Sequence, residues 1–282
     1  MKLYCATALL SFAALGQAQA VQLPIFGNFS PESFDFQTDR AAFDFRGIVG
    51  LSNCSGSIVR FDDSKDTDRA MVMSNGHCVE LIKPGTVVVD RPVRKSFTVL
   101  GQDAQKLGTV SADKIIYATM TKTDVSLFLL TETYQQIHSK FSVEALTLSR
   151  EIPAVGTSIE IISGYWKRGY SCQIETFVKT LKEGDWSWTN SLRYSRPGCE
   201  TIGGTSGSPV VAAGTRTAIA VNNTGNESGR MCEVNNPCEI SDDGTPFAQK
   251  GYSYGQQTYW FYTCRNEAGV FDLNQKDCML PK

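Results

Sequence analysis

Three short segments hold residue types that together could perform acyl transfer through a serine nucleophile. Residues 71–78 read MVMSNGHC, an apolar run entering a turn that ends in His77. Residues 123–130 read TDVSLFLL, so Asp124 heads an apolar run. Residues 203–211 read GGTSGSPVV, with Ser206 set among glycines. A serine hydroxyl is a poor nucleophile at neutral pH and needs an adjacent base. That base needs a carboxylate to hold its tautomer and stabilise its cation. Small residues around the serine let successive backbone N–H groups converge on one point, where they can stabilise an oxyanion. Each segment alone has a plain structural reading: a histidine beside a cysteine, an aspartate before a strand, a Gly/Ser turn. Their combination in the chain order His, Asp, Ser carries the weight.

Chain order separates the classes of serine hydrolase. An α/β-hydrolase places its histidine after the serine, whereas His77 and His138 both precede Ser206. The subtilisin order would be met by Asp124, His138 and Ser206. However, His138 sits in QIHS without a glycine context, and the chain lacks βαβ alternation.

The elements that must position these residues read as strands. Runs rich in β-branched and aromatic residues span 56–61, 70–74, 86–90, 96–100, 114–118, 125–130, 158–163, 209–212 and 217–222. They have strand length and are separated by turn residues, which predicts a sandwich or barrels. Helical periodicity is confined to 132–141 and a C-terminal stretch, and a seam between two halves is expected at 140–155. The charge-dense run 62–69 fails as an EF-hand, because Thr67 stands where glycine is needed and Met73 where glutamate is needed. It reads as a solvated hairpin loop.

Composition narrows the function classes. The chain has 282 residues, with 27 Lys+Arg against 29 Asp+Glu and a net charge of −2. There is no basic surplus for nucleic acid and no polybasic stretch for an anionic membrane. Residues 1–20 carry Lys2, an apolar core from Leu3 to Leu15 and a terminal Ala18-Gln19-Ala20, the pattern of a cleaved secretory signal. A secreted protein, extracellular or periplasmic, is expected. Outside that leader stand Cys54, Cys78, Cys172, Cys199, Cys232, Cys238, Cys264 and Cys278. Their even number and the export signal point to disulfides, with roughly a hundred possible connectivities. Their spacing does not suit structural zinc, so no metal is expected.

With these residues in view, the chain resembles the trypsin/chymotrypsin-type serine endopeptidases, in particular bacterial trypsin-like and glutamyl-endopeptidase-like members. Asn53–Ile58 resembles the strand before the catalytic histidine, and Asn75–Cys78 the histidine segment itself. Asp124–Leu127 resembles the aspartate segment, 155–166 the opening of the second barrel, and Gly204–Pro209 the nucleophile segment. The resemblance implies an all-β fold of two six-stranded antiparallel barrels with the active site in the cleft between them. It implies a signal peptide (1–20), an N-terminal extension or propeptide (21–45), a first barrel (46–142), and a second barrel with a disulfide-closed C-terminal segment (143–282). The catalytic residues would be His77, Asp124 and Ser206, with an oxyanion hole at Gly204 and Ser206. The substrate-binding residues would be Glu200, Thr201, Asn222 and Asn223; Glu200 would either favour cleavage after basic residues or merely point to solvent beside Cys199, and Thr201 half-matches the pattern of the glutamyl-specific relatives. The resemblance implies a Cys54–Cys78 disulfide clamping the His77 loop; Cys172–Cys199 is expected to tie two segments of barrel two, and Cys232–Cys238 and Cys264–Cys278 to close local loops.

Two departures from the family are informative. Thr205 replaces the aspartate that pairs with a newly freed amino terminus, and Arg46-Gly47 lies too close to Cys54 to be the activation site. Residues 254–262 read as a strand in place of the family's terminal helix. The expected protein is a cofactor-free monomer acting on polypeptide substrates and open to proteinaceous inhibitors. The rival from another class is a non-catalytic binding or adhesion module on the same fold.

Overall fold

The computed structural model describes residues 43–282. The expected leader, and the extension up to residue 42, lie outside the described residues. The β-rich runs form β1 (Ile48–Gly50), β2 (Ser55–Arg60), β3 (Arg69–Ser74), β4 (Val87–Leu100), β5 (Lys106–Thr119) and β6 (Val125–Thr133). They pair in the order β1-β4-β5-β6-β3-β2, and β1 also pairs with β2, so six antiparallel strands close into a ring. Inward residues such as Ile58, Val72, Phe97 and Phe128 fill it, with the two phenyl rings edge to face at 5.2 Å.

A second ring follows from β8 (Ser158–Ser163), β9 (Arg168–Glu183), β10 (Trp186–Tyr194), β11 (Pro209–Ala212), β12 (Thr217–Gly225) and β15 (Ser253–Gln257). Its order is β12-β11-β8-β9-β10-β15, closed by pairing of β12 with β15. Ile159, Ile161, Leu192, Val210 and Ile219 pack inside it. The expected all-β class with two six-stranded antiparallel barrels is therefore the observed architecture. The short β7 (Leu146–Leu148) lies in the expected seam and runs parallel to β2 on one side and β12 on the other, joining the rings. The small hairpin of β13 (Cys238–Ile240) and β14 (Pro246–Phe247) hangs on β9.

Several elements differ from expectation for local reasons. The runs 86–90 and 96–100 are one strand, β4, because the register shifts between Pro92 and Lys95 and the proline falls where no ladder N–H is required. Helix α1 (Tyr134–Phe141) begins two residues later than expected, where Thr133 and Gln136 form a reciprocal capping box. The expected strand 254–262 stops at Gln257. There the Thr258 N–H donates to the Ile219 carbonyl and its hydroxyl to the Ala218 carbonyl. The chain turns into helix α2 (Trp260–Thr263), burying Trp260 and Phe261. The acidic loop 62–68 is tied to arginines: Asp62 to Arg150, Asp63 to Arg265 and Asp66 to Arg60.

Disulfides join Cys54 to Cys78, Cys172 to Cys199, Cys232 to Cys238 and Cys264 to Cys278, the expected pairing. Among the described residues no helix is long and apolar enough to cross a membrane. Non-reducing peptide mapping should recover these four pairs, and a peptide linking Cys54 to another cysteine would contradict the arrangement. Replacing Cys264 and Cys278 together by serine opens a loop of sequence separation 14. It should lower the urea-unfolding free energy by about 3 kcal/mol.

Candidate active site

The turn after β3 carries His77, and the residue before β6 is Asp124. Since β3 and β6 pair directly, with Ser74 opposite Ser126, their ends are neighbours. His77 Nδ1 lies 2.7 Å from Asp124 Oδ2, and the His77 backbone N–H donates to Asp124 Oδ1 at 3.1 Å. Asn75 locks the pair from behind. Its side-chain amide donates to the Asp124 carbonyl at 2.7 Å, and its own carbonyl accepts from the Ser126 hydroxyl at 2.8 Å. Gly76 is required by close approach, because a Cβ there would run into the Thr119 backbone and crowd the Asp124 carboxylate. The Cys54–Cys78 disulfide ties the turn to the start of β2.

Asp124 is fully buried and the His77 side chain is 24% exposed. Burial by itself would lower the imidazole pKa. The Asp124 charge, its hydrogen bond and the charge of Glu183 together outweigh that, so the His77 pKa stands above an ordinary imidazole's. A group of Cys54, His77 and Cys78 lies close together, but both sulfurs are bonded to each other and are not metal ligands.

Ser206 sits on the loop entering β11. Its hydroxyl donates to the Asn223 carbonyl at 3.1 Å, and it lines the same cleft as His77 and Asp124. The loop's carbonyls are all held from outside. That of Gly203 accepts from the Trp166 indole N–H at 2.7 Å and that of Gly204 from the Ser55 hydroxyl at 3.1 Å. The Thr205 carbonyl accepts from the Asn222 amide at 3.1 Å and the Ser208 hydroxyl at 2.6 Å, and the Ser206 carbonyl from the Ser55 N–H at 2.8 Å. In a trans peptide the N–H points opposite to the carbonyl. Pinning the carbonyls of Gly203 and Thr205 therefore fixes the N–H groups of Gly204 and Ser206. Among the described residues neither N–H has an acceptor. Gly204 adopts φ +89°, and a Cβ there would strike Tyr165 and Trp166. Two free, oriented donors beside a serine can hold a developing oxyanion.

The other expected site residues divide. Thr201, Asn222 and Asn223 line the cleft. Glu200 does not, which corrects the expectation that it would contact substrate. The 199–201 segment alternates, with Cys199 and Thr201 buried and the Glu200 side chain 42% exposed, accepting from the Gly198 N–H and paired with Arg196. Sequence reasoning missed Trp166 and Glu183. The Tyr165-Trp166 pair after Gly164 was a usable signal for the first. The second sits at the tip of the β9–β10 hairpin, which the sequence reading did not predict.

No family model matches the chain, and no curated protein does. Among solved structures, the chain is similar to the MamO protease domain of Magnetospirillum magneticum at 12% identity and a TM-score of 0.46, over 76% of this chain and 93% of that one. It is similar to Nocardiopsis protease at 14% identity and a TM-score of 0.44, over 76% and 92%. It is also similar to a Glu endopeptidase at 12% identity and a TM-score of 0.42, over 76% and 85%. Function is therefore read from the geometry of this site.

The pairing of His77 with Asp124 sets a titration that can be measured without any substrate. An NMR titration should place the His77 pKa above the ordinary imidazole value. Asp124→Asn removes both the charge and the matched acceptor and should move that pKa downward. An unchanged His77 titration in Asp124→Asn would contradict the coupling.

Proposed function

We propose that this protein is a secreted serine endopeptidase of the trypsin/chymotrypsin type. The observation that carries the reading is one cleft holding the His77–Asp124 pair and Ser206, with the N–H groups of Gly204 and Ser206 free on the serine loop itself. Ser206 attacks the peptide carbonyl while His77 Nε2 takes its proton. The new oxyanion rests on the two N–H groups, and the imidazolium is stabilised by Asp124. His77 returns the proton to the leaving amine, and water then repeats the sequence on the acyl-enzyme. In the resting geometry the Ser206 hydroxyl is engaged by Asn223, and it turns to His77 when substrate displaces that contact. No cofactor enters these steps.

Extended polypeptide suits the cleft. Past Asn222, β12 keeps its pairing with β15, but β11 has departed, so Asn223–Gly225 borders the cleft with an unpaired edge. A substrate strand can add there through main-chain hydrogen bonds. The disulfides and the expected leader support export.

Ser206→Ala, His77→Ala and Asp124→Asn should each lower kcat by roughly 10⁴-fold or more, non-additively. A fluorophosphonate probe should label Ser206 in the wild type, and absence of labelling would favour the binding-module reading. Because the base must be neutral, activity should fall as pH drops through the raised His77 pKa. Trp166→Phe keeps a ring but removes the donor to Gly203. It should lower kcat by roughly 10- to 100-fold with little change in KM, since the oxyanion donors act chiefly in the transition state.

Thr205 is buried in a neutral network. Its hydroxyl donates to the Ile202 carbonyl at 2.6 Å and accepts from Asn222 at 3.1 Å. The Arg46-Gly47 segment is meanwhile built into barrel one, with the Gly47 carbonyl accepting from the Ile58 N–H. Arg46→Gln, which blocks cleavage after residue 46, should therefore leave activity intact. An inert variant would show that activation depends on that cut.

A further inference from the structure

We propose that Glu183 is a recognition site for a positive charge: its carboxylate receives the ammonium or guanidinium of a substrate lysine or arginine bound in the cleft beside Ser206. The proposal deepens the endopeptidase reading and rests on it.

Glu183 ends β9 at the tip of a hairpin whose two-residue turn has Gly184 at φ +54°. The residue is only 7% exposed, yet it lines the cleft that holds His77 and Ser206. One oxygen accepts from the Asn235 N–H at 2.8 Å, while the other, Oε2, is buried and has no partner. A buried carboxylate oxygen without a donor is costly, and a cation brought to it would offset that cost. Burial pushes the Glu183 pKa up; the Asn235 N–H, the nearby Thr224 hydroxyl, which is not within bonding geometry of Oε2, and the positive charge on His77 oppose the shift without cancelling it.

The surroundings favour the same ligand. Among the described residues, three carboxylates line the cleft, Asp124, Glu183 and Glu227, and no lysine or arginine does. Asp124 already spends both oxygens on His77, and Glu227 is exposed. Glu183 is thus the buried acid with an open acceptor. Trp186 and Trp188 line the same cleft. Their indole N–H groups are fixed on the carbonyls of Ile82 and Met120 at 2.8 and 3.1 Å. Anchored indoles next to a carboxylate suit a long cationic side chain, whose stem packs on the rings and whose head group meets the acid. The site is also preorganised. The Gly184 N–H donates to the Cys232 carbonyl at 2.9 Å, and the Cys232–Cys238 disulfide ties that loop to β13, which pairs with β9.

The test uses a peptide series in which a single lysine or arginine is moved through each position around the scissile bond, with an isosteric neutral residue as reference. The wild type should prefer the charged peptide at one position by roughly 10- to 100-fold in kcat/KM. Glu183→Gln should abolish that ratio, read above the His77 pKa so that loss of the Glu183 charge near the imidazole acts on the charged and neutral peptides alike. Glu227→Gln, in the same cleft, should preserve the ratio. A wild type with no preference for the charge at any position would overturn the proposal, as would a preference surviving in Glu183→Gln. A ratio is read because general damage to the fold lowers both rates together, and Glu183→Ala supplies a second variant if the amide packs poorly. Calorimetric binding of the same peptides to Ser206→Ala, with and without Glu183→Gln, separates the two readings. Charge-selective binding that needs Glu183, in a wild type that hydrolyses nothing, sinks the endopeptidase reading and keeps this one. Hydrolysis and binding without charge selectivity do the reverse.

Discussion

The planar trans peptide imposes the constraint on which this structure turns. An N–H cannot be aimed into a cleft unless its carbonyl is aimed out and held there. Residues 203–206 meet that condition with donors from several places: Trp166 from the turn after β8, Ser55 from the start of β2, Asn222 from β12 and Ser208 from the loop itself. The first donor and the last two come from barrel two, and Ser55 from barrel one. Ser55 is itself held by Ser163 at 3.0 Å and by the Tyr165 N–H at 3.1 Å, so the two barrels meet at a polar knot directly behind the serine. One such hydrogen bond contributes only about 1 kcal/mol net. Held together, they anchor the loop to both barrels, the Gly203 and Thr205 carbonyls to barrel two and the Gly204 and Ser206 carbonyls to barrel one.

The histidine side obeys a different constraint, close approach. Asp124 can meet both the ring and the backbone N–H of His77 only because Gly76 leaves room against Thr119. The paired ends of β3 and β6 bring the two segments together, and Asn75 spans them. A buried, fully engaged carboxylate cannot drift from the imidazole without leaving an unpaired charge in the interior, which is heavily penalised. The proton acceptor is therefore positioned by the same packing that closes barrel one.

The motifs around His77, Asp124 and Ser206 were legible because each combines a special residue with an obligatory small neighbour, and those leave marks in linear sequence. The strands of barrel one were legible from their β-branched runs. Glu183 was not. The β9–β10 hairpin intersperses exposed polar residues with isolated buried ones, as with Ile174 and Val178 within Cys172–Thr180, and lacks an apolar run. Its acid reaches the cleft only because a 16-residue strand carries it there. Glu200 misled for the complementary reason. Counting from the serine fixes a distance along the chain but not a side-chain direction, and in an extended segment neighbouring residues point opposite ways. The α2 turn was hidden as well, since Trp260 and Phe261 fit a strand equally well until Thr258 is seen bonded to the edge of β12.

The distribution of charge across the serine loop separates scaffold from cleft. Behind the loop every group is neutral: Ser55, Ser163, Trp166, Thr205, Ser208 and Asn222. None of them titrates in the working range of the histidine, and none needs an amino terminus delivered from elsewhere. The loop's shape therefore owes nothing to pH or to a new chain end. The ionisable groups lie on the other side, where His77, Asp124, Glu183 and Glu227 line the cleft. A neutral scaffold lets those charges act on whatever enters without disturbing the oxyanion donors. It also leaves the field in the cleft acidic and uncompensated by any lysine or arginine in its lining. On the proposed reading, a lining of that sign would draw the cationic side chains of a substrate toward the serine. On the proposed reading, the residues that shape the reaction centre and those that select what reaches it are thus distinct sets, meeting at the cleft wall.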